Sequence, residues 1–298
     1  LVFAIKAAVV PLHFWLPSSY AEAPAPVAAL FAIMTKVGAY AIIRVYTMIF
    51  PPDLEITAGL QGDWLLPAAL LSVALGMVGV LAAKRLDRLV AFSVIGSMGM
   101  VMVAISLFTP EGIAAALYYI VHSTLAAAAL FLIADMVRSG RDNLDLTAQP
   151  PIAGSALTAA FFFVGAIAVA GLPPLSGFLG KLLVLDAAFG ADQVVWVWAV
   201  VLGSSLIGIV GFSRAGSILF WKAQSVVRDA ETAASPPPAV LSYVAVGGLL
   251  ALLVAHTIFA GQMHSYATKM AAQLFSPQPY IATVLETRGK LSTSQEGH

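Results

Sequence analysis

Residues 66–83 read LPAALLSVALGMVGVLAA, an uncharged run that is apolar on both parities. No other feature constrains the chain as strongly. A helix crossing roughly 30 Å of hydrocarbon needs about 20 mostly apolar residues, whereas a membrane barrel strand shows alternation over about ten. The run predicts a spanning helix, and eight stretches of this kind follow one another. They cover about residues 1–16, 24–50, 64–83, 89–108, 112–135, 154–189 with an internal break, 193–220 and 238–260. Composition agrees: 60% of the 298 residues are hydrophobic and 10% charged, against about 25% charged in soluble domains. A water-soluble globule is excluded. So is a disordered chain, whose signature is low hydrophobicity and high net charge. The predicted class is all-α and polytopic, with residues 1–260 in the membrane and 261–298 an extramembrane tail.

The 15 basic and 15 acidic residues cancel, so nothing suggests a nucleic-acid surface. There is no cysteine, hence no disulfide, thiolate nucleophile, zinc–cysteine site or iron–sulfur cluster. Nucleotide motifs and paired haem histidines are missing too. Neither a cofactor nor a metal site is expected, and no intramembrane carboxylate cluster could cage a hard cation. The opening LVFAIK lacks both Met and the charged n-region of a secretory signal, and reads as a chain cut inside a span. Lys84, Arg85 and Arg88, then Arg138 and Arg141, then Lys222 and Arg228 collect in alternate connections. The intervening connections are acidic (Asp53, Glu55, Asp63) or very short. By the positive-inside rule the basic connections are cytoplasmic and the C-terminus lies outside.

Three lysines defy this distribution: Lys6 in FAIKAAVV, Lys36 in AIMTKVGAY and Lys181 in GFLGKLLVL. A charge at a span centre costs about 2.5–3.5 kcal/mol, while each good apolar residue returns only about 0.3–0.6. Arg44 and Arg214 lie near span ends and can lift their heads to the interface; Lys36 cannot. Lys36, Tyr40 and Arg44 recur at spacing four and should share a face. His122 lies mid-span, with Tyr118 one turn before it and Ser123 and Thr124 after it, and histidine exchanges protons near neutral pH. His256, in LLVAHTIFAG, has no polar company and reads as a packing residue. Asp135 is expected to pair with Arg138 at a helix end. Asp186, five residues after Lys181, is on a different face.

Two spans carry proline. Pro11 interrupts the first, in PLHFWLP; Pro173 and Pro174 interrupt the sixth, in GLPPLSGFLG. Proline removes a donor and clashes with the preceding turn, so both spans should be discontinuous, which at membrane depth requires shelter by protein or water. PLHFWLP at 11–17 and PLSGFLG at 174–180 share Pro-Leu, a central aromatic and a later Leu. Paired broken helices point to a transporter built from repeats.

At this point a family resemblance emerges. IKAAVVPLHFWLPSSYAEAPAPVAALFAIMTKVGAYAIIRV, DRLVAFSVIGSMG, ALYYIVHSTLAAAALFLIAD and AVAGLPPLSGFLGKLLVL occur in that order. Together they resemble the antiporter-like membrane subunits shared by respiratory complex I and Mrp-type (Pha-type) cation/proton antiporters. The resemblance covers residues 1 to about 260 and implies helices seven to fourteen of a fourteen-helix fold with two inverted repeats. It implies proton transfer by Lys6, Lys36, His122 and Lys181, with support from Tyr40, Tyr118, Ser123, Thr124 and His13. The glutamate partnering Lys6 would belong to an earlier helix. Some relatives have His-Met-Gly where this chain has Ser97-Met98-Gly99. The wording of PLHFWLP and APAPVAALFA is most similar to D-type subunits of the Mrp branch; a complex I subunit with lysine in its broken helix is the alternative. The implied partners are other subunits of such a complex, the bilayer, H⁺ and Na⁺ or K⁺, in a bacterial cell membrane. The implied class is a transporter subunit, not an enzyme. A third possibility is an assembly subunit whose lysines dock a neighbour or anionic lipid.

Overall fold

A computed structural model describes residues 1–50, 61–141, 143–226 and 237–286. Among the described residues twelve α-helices follow one another: α1 (Val2–Lys6), α2 (Leu16–Glu22), α3 (Ala25–Met48), α4 (Leu66–Ala82), α5 (Leu86–Ser106), α6 (Pro110–Arg141), α7 (Ser155–Ala170), α8 (Ser176–Ala187), α9 (Val194–Gly216), α10 (Val240–Ile258), α11 (Ala260–Leu274) and α12 (Gln278–Glu286). Among these same residues the one β-contact is an isolated bridge between Arg85 and Asp145. Six described helical segments, beginning at residues 25, 63, 86, 110, 194 and 240, are long and apolar enough to cross a membrane. The expected total of eight adds the two interrupted segments, neither of which holds a continuous helix of that length.

The interruptions differ in extent from expectation. The first span does not run as a helix over 1–16. Helix α1 stops at Lys6, residues 7–15 form turns, and α2 starts at Leu16. In the sixth span α7 ends at Ala170 and α8 begins at Ser176. Each break holds a residue with left-handed backbone three positions before its proline. These are Ala8 (φ 52°) before Pro11 and Gly171 (φ 75°) before Pro174, and both X-Pro bonds are cis. The likeness of the two proline motifs thus extends to the backbone that precedes them.

Helix α5 is the centre of the bundle. Every residue of it except Arg88 and Phe92 is buried, consistent with apolar character around its whole circumference. In hydrocarbon, helices associate by close packing, which favours small residues at contacts. Gly76 on α4 faces the backbone of Gly96 on α5, and Gly99 faces the backbone of Ser72 and Val73. A methyl group at either contact would force the helices apart.

The basic connections gather at one end. Leu86 N–H donates to the Leu144 carbonyl and Leu146 N–H to that of Lys84, both at 2.8 Å. The Arg141 guanidinium donates to the Leu219 carbonyl. Glu22, Arg85, Arg138 and Asp145 line one cavity of about 220 Å³. Arg85 pairs with Asp87 at 2.6 Å. Asp135 and Arg138 line an adjoining small cavity with Asp87, but they do not close the expected ion pair. Asp53, Glu55 and Arg228 lie outside the described residues.

At the opposite end α11 packs on α6 through buried Ala267 and Ala271. Phe275 follows it and packs against Phe108, with ring centroids 5.3 Å apart. Arg44 lies 5.4 Å below the Tyr280 ring of α12, a cation–π contact in place of a purely solvated head.

Candidate functional site

The second break builds a binding place for Lys181. Gly171 takes the left-handed conformation that ends helices at little cost in glycine. Its N–H and that of Leu172 both turn back to the Ile167 carbonyl, at 3.1 Å. The carbonyl of Ala170, at the end of α7, has no further turn to accept from. Lys181 Nζ supplies the donor at 2.7 Å and also donates to Ser205 Oγ on α9 at 2.8 Å. The ammonium thus bridges three helices, with 8% of the residue exposed. Among the described residues no carboxylate holds it; a broken helix end and a hydroxyl do.

A β-carbon added at Gly171 would fall 2.6–2.8 Å from the Lys181 side-chain carbons and Nζ. Gly171→Ala is therefore expected to expel Lys181 from its two acceptors. It should destabilise the solubilised protein by about 1–2 kcal/mol from the left-handed backbone alone, read as a drop in melting temperature. An unchanged melting temperature would contradict the geometry.

His122, 1% exposed, is joined to the same break. Its Nδ1 lies 2.9 Å from Oγ of Ser176, the first residue of α8. The Tyr119 ring packs on it at 5.3 Å. Gly177 allows the approach, because a side chain there would strike the His122 ring and the Ala168 carbonyl.

Lys36 is 3% exposed, and its Nζ has no hydrogen-bond partner among the described residues. It shares the buried side of α3 with Ala32, Thr35, Ala39 and Ile43. Helix α6, which carries His122, packs against both α3 and α8, the helices that carry Lys36 and Lys181. These three sequence-selected residues come together.

Others do not. Lys6, the last residue of α1, is exposed. Tyr40 is 53% exposed, so the expected stripe from Lys36 through Tyr40 divides: the buried side of α3 centres on Thr35 and Ala39 and leaves Tyr40 beyond its edge. Ser123 and Thr124 both donate to the Ile120 carbonyl of their own helix, at 3.2 and 2.8 Å. His13 lies in the first break, its Nδ1 unpartnered among the described residues. Pro11, Pro173 and Pro174 fall inside the breaks. Ser176, Ser205 and the Ala170 carbonyl were not foreseen. The reading of His256 as lacking polar company is also corrected, since it stacks on Tyr118 at 4.4 Å. Among the described residues no group of three His, Asp or Glu is placed to hold a metal.

Comparison with known proteins agrees with this architecture. Residues 1–208 match the family described as NADH:quinone oxidoreductase/Mrp antiporter, TM. The chain is 34% identical over 299 aligned positions to the D-type subunit of the Na(+)/H(+) antiporter of Bacillus subtilis, covering 96% of this chain and 57% of that protein. It is 31% identical to the D-type subunit of the probable K(+)/H(+) antiporter of Rhizobium meliloti, covering 95% and 57%. It therefore spans less than two thirds of these relatives. Among solved structures, it superposes on a chain of the Mrp complex from Dietzia sp. with TM-score 0.81, 24% identity and coverage of 95% and 59%. It superposes on a chain of respiratory complex I from Thermus thermophilus with TM-score 0.77, 28% identity and coverage of 92% and 57%. The chain belongs to the membrane-embedded NADH:quinone oxidoreductase/Mrp antiporter family.

Proposed function

We propose that this chain is a proton-translocating membrane subunit of a multisubunit monovalent cation/proton antiporter in a bacterial cell membrane, exchanging Na⁺ or K⁺ for H⁺. The observation that carries the reading is the burial of Lys36, His122 and Lys181 on α3, α6 and α8, with α6 packed against the other two and His122 and Lys181 bonded at a broken helix. Ionisable side chains at membrane depth mark proton or ion pathways. An imidazole between two amines, one held by a helix end and one unpaired, can pass a proton by changing its own protonation. Lys6 would join this route through an acidic partner on another segment. The cation has no oxygen cage among the described residues, so its path is assigned to another subunit. The basic end faces the cytoplasm on the positive-inside argument; residues 261–286 lie at the other face, outside the membrane.

The test uses the assembled complex in everted membrane vesicles. His122→Gln keeps a group able to bond Ser176 but unable to carry a proton. Cation-driven proton movement is expected to fall by about 100-fold, within the range for loss of a proton-transfer group, with normal assembly on native gels. Normal exchange would overturn the assignment. Failed assembly, with wild-type exchange in the complexes that do form, would favour the docking role. The likeness to a complex I subunit supports a second reading, a proton-pumping subunit of a quinone oxidoreductase. That reading predicts quinone-linked rather than cation-linked proton movement.

A further inference from the structure

Three polar groups near the end of the bundle opposite the basic connections lie outside the Lys36–His122–Lys181 set, Tyr118 among them as the one the family resemblance already placed beside it. Tyr118 lies one helical turn from His122 on α6, toward Pro110, and is 2% exposed. Its ring stacks on that of His256 at 4.4 Å with 28° between planes. Neither the Tyr118 hydroxyl nor His256 Nε2 has a hydrogen-bond partner among the described residues. His256 is 6% exposed and lies two residues before the end of α10, which packs against α6. On α11, which packs against α6, His264 Nδ1 is buried and likewise unpartnered among those residues. Leaving a buried donor or acceptor unmade is costly, and the Tyr118 hydroxyl and His256 Nε2 both stand open among the described residues. Open polar atoms in succession suit a chain of waters, which needs polar partners at each step. The same end opens to solvent, where Glu111 and Asp186 line a cavity of about 410 Å³.

We propose that Tyr118 and His256 form the outlet that connects the buried Lys36–His122–Lys181 set to the face bearing Glu111 and Asp186. This inference rests on the proton-translocating reading. The Tyr118 hydroxyl accepts one proton as it gives up another and keeps its charge. His256 takes the proton at Nε2 and returns it to water at the Glu111 end. His264, on the amphipathic helix covering that end, stands next in line. The ionisable groups on the elements packed against α6 and α10 at this level are Tyr119 and His122 on α6, Lys36 and Tyr46 on α3, Lys181 and Asp186 on α8 and His264 on α11; α7 contributes none and α5 carries its charged residues at the other end.

The experiment compares wild-type, His256→Phe, Tyr118→Phe and His122→Gln complexes in vesicles, with assembly followed on native gels. His256→Phe retains an aromatic ring against Tyr118 and removes the proton carrier; Tyr118→Phe removes only a hydroxyl. His256→Phe is expected to slow cation-linked proton exchange about 100-fold and to flatten its dependence on pH at the Glu111 face. The dependence on pH at the basic face should persist. Tyr118→Phe should give a smaller loss of the same kind. A rate loss with both pH profiles unmoved, or failed assembly of both variants, would assign the pair a packing role and overturn the proposal. Normal exchange in His256→Phe beside a dead His122→Gln overturns the outlet alone. Normal exchange in His122→Gln overturns the underlying reading instead.

Discussion

Lys36→Met is expected to make the subunit more stable and to stop it working. The Lys36 amine is buried with no hydrogen-bond partner among the described residues, and leaving such a group unpaired costs about 1–3 kcal/mol. Methionine fills nearly the same volume without that cost and adapts to an irregular site. The assembled, solubilised complex should therefore melt at a higher temperature. Cation-driven proton movement in vesicles should nevertheless drop about 100-fold, because no other ionisable group on the buried side of α3 can take the proton. A residue retained against stability is one retained for activity. Unchanged stability with unchanged exchange would remove Lys36 from the route.

Lys181→Met is expected to stop transport equally and to move stability the other way. Here the amine is the donor to the Ala170 carbonyl and to Ser205. Removing it leaves a buried helix-end carbonyl without a partner. The expected loss is about 1–3 kcal/mol, read as a lower melting temperature. Opposite shifts for two lysines that look alike in sequence, with exchange lost in both, would separate the positioned amine from the unpaired one. If both variants shifted stability in the same direction, the contrast drawn from their hydrogen bonds would be wrong.

That contrast also marks how far the sequence could be read. Lys36, His122 and Lys181 stood out because charge or a titratable ring in apolar context conflicts with the cost of burial. Pro11, Pro173 and Pro174 located the breaks because a missing N–H cannot be hidden in a helix. What held Lys181 was not legible. Ser205 lies 24 residues away on another helix, a serine in an apolar helix is unremarkable, and a backbone carbonyl has no sequence signature. Ser176 is 54 residues from His122 and escaped for the same reason. His256 looked bare because its partner comes from α6. The stripe through Tyr40 failed because spacing fixes which residues are neighbours on a helix but not which neighbours face the bundle. The first helix was overextended because one proline gives the site of a break and not its length.

The 32 residues of α6 would extend about 48 Å at 1.5 Å per residue, well beyond roughly 30 Å of hydrocarbon. Its last turns must tilt or stand clear of the acyl chains, and there the Arg141–Leu219 contact and the paired backbone at 84–86 and 144–146 tie neighbouring connections to it. This makes a stiff collar around one mouth and a single girder reaching toward the other. Compliance is left to the two unwound stretches beside Ala8 and Gly171. The Lys181 amine, held at one of those stretches, therefore sits where the backbone ladder is open and not inside the frame.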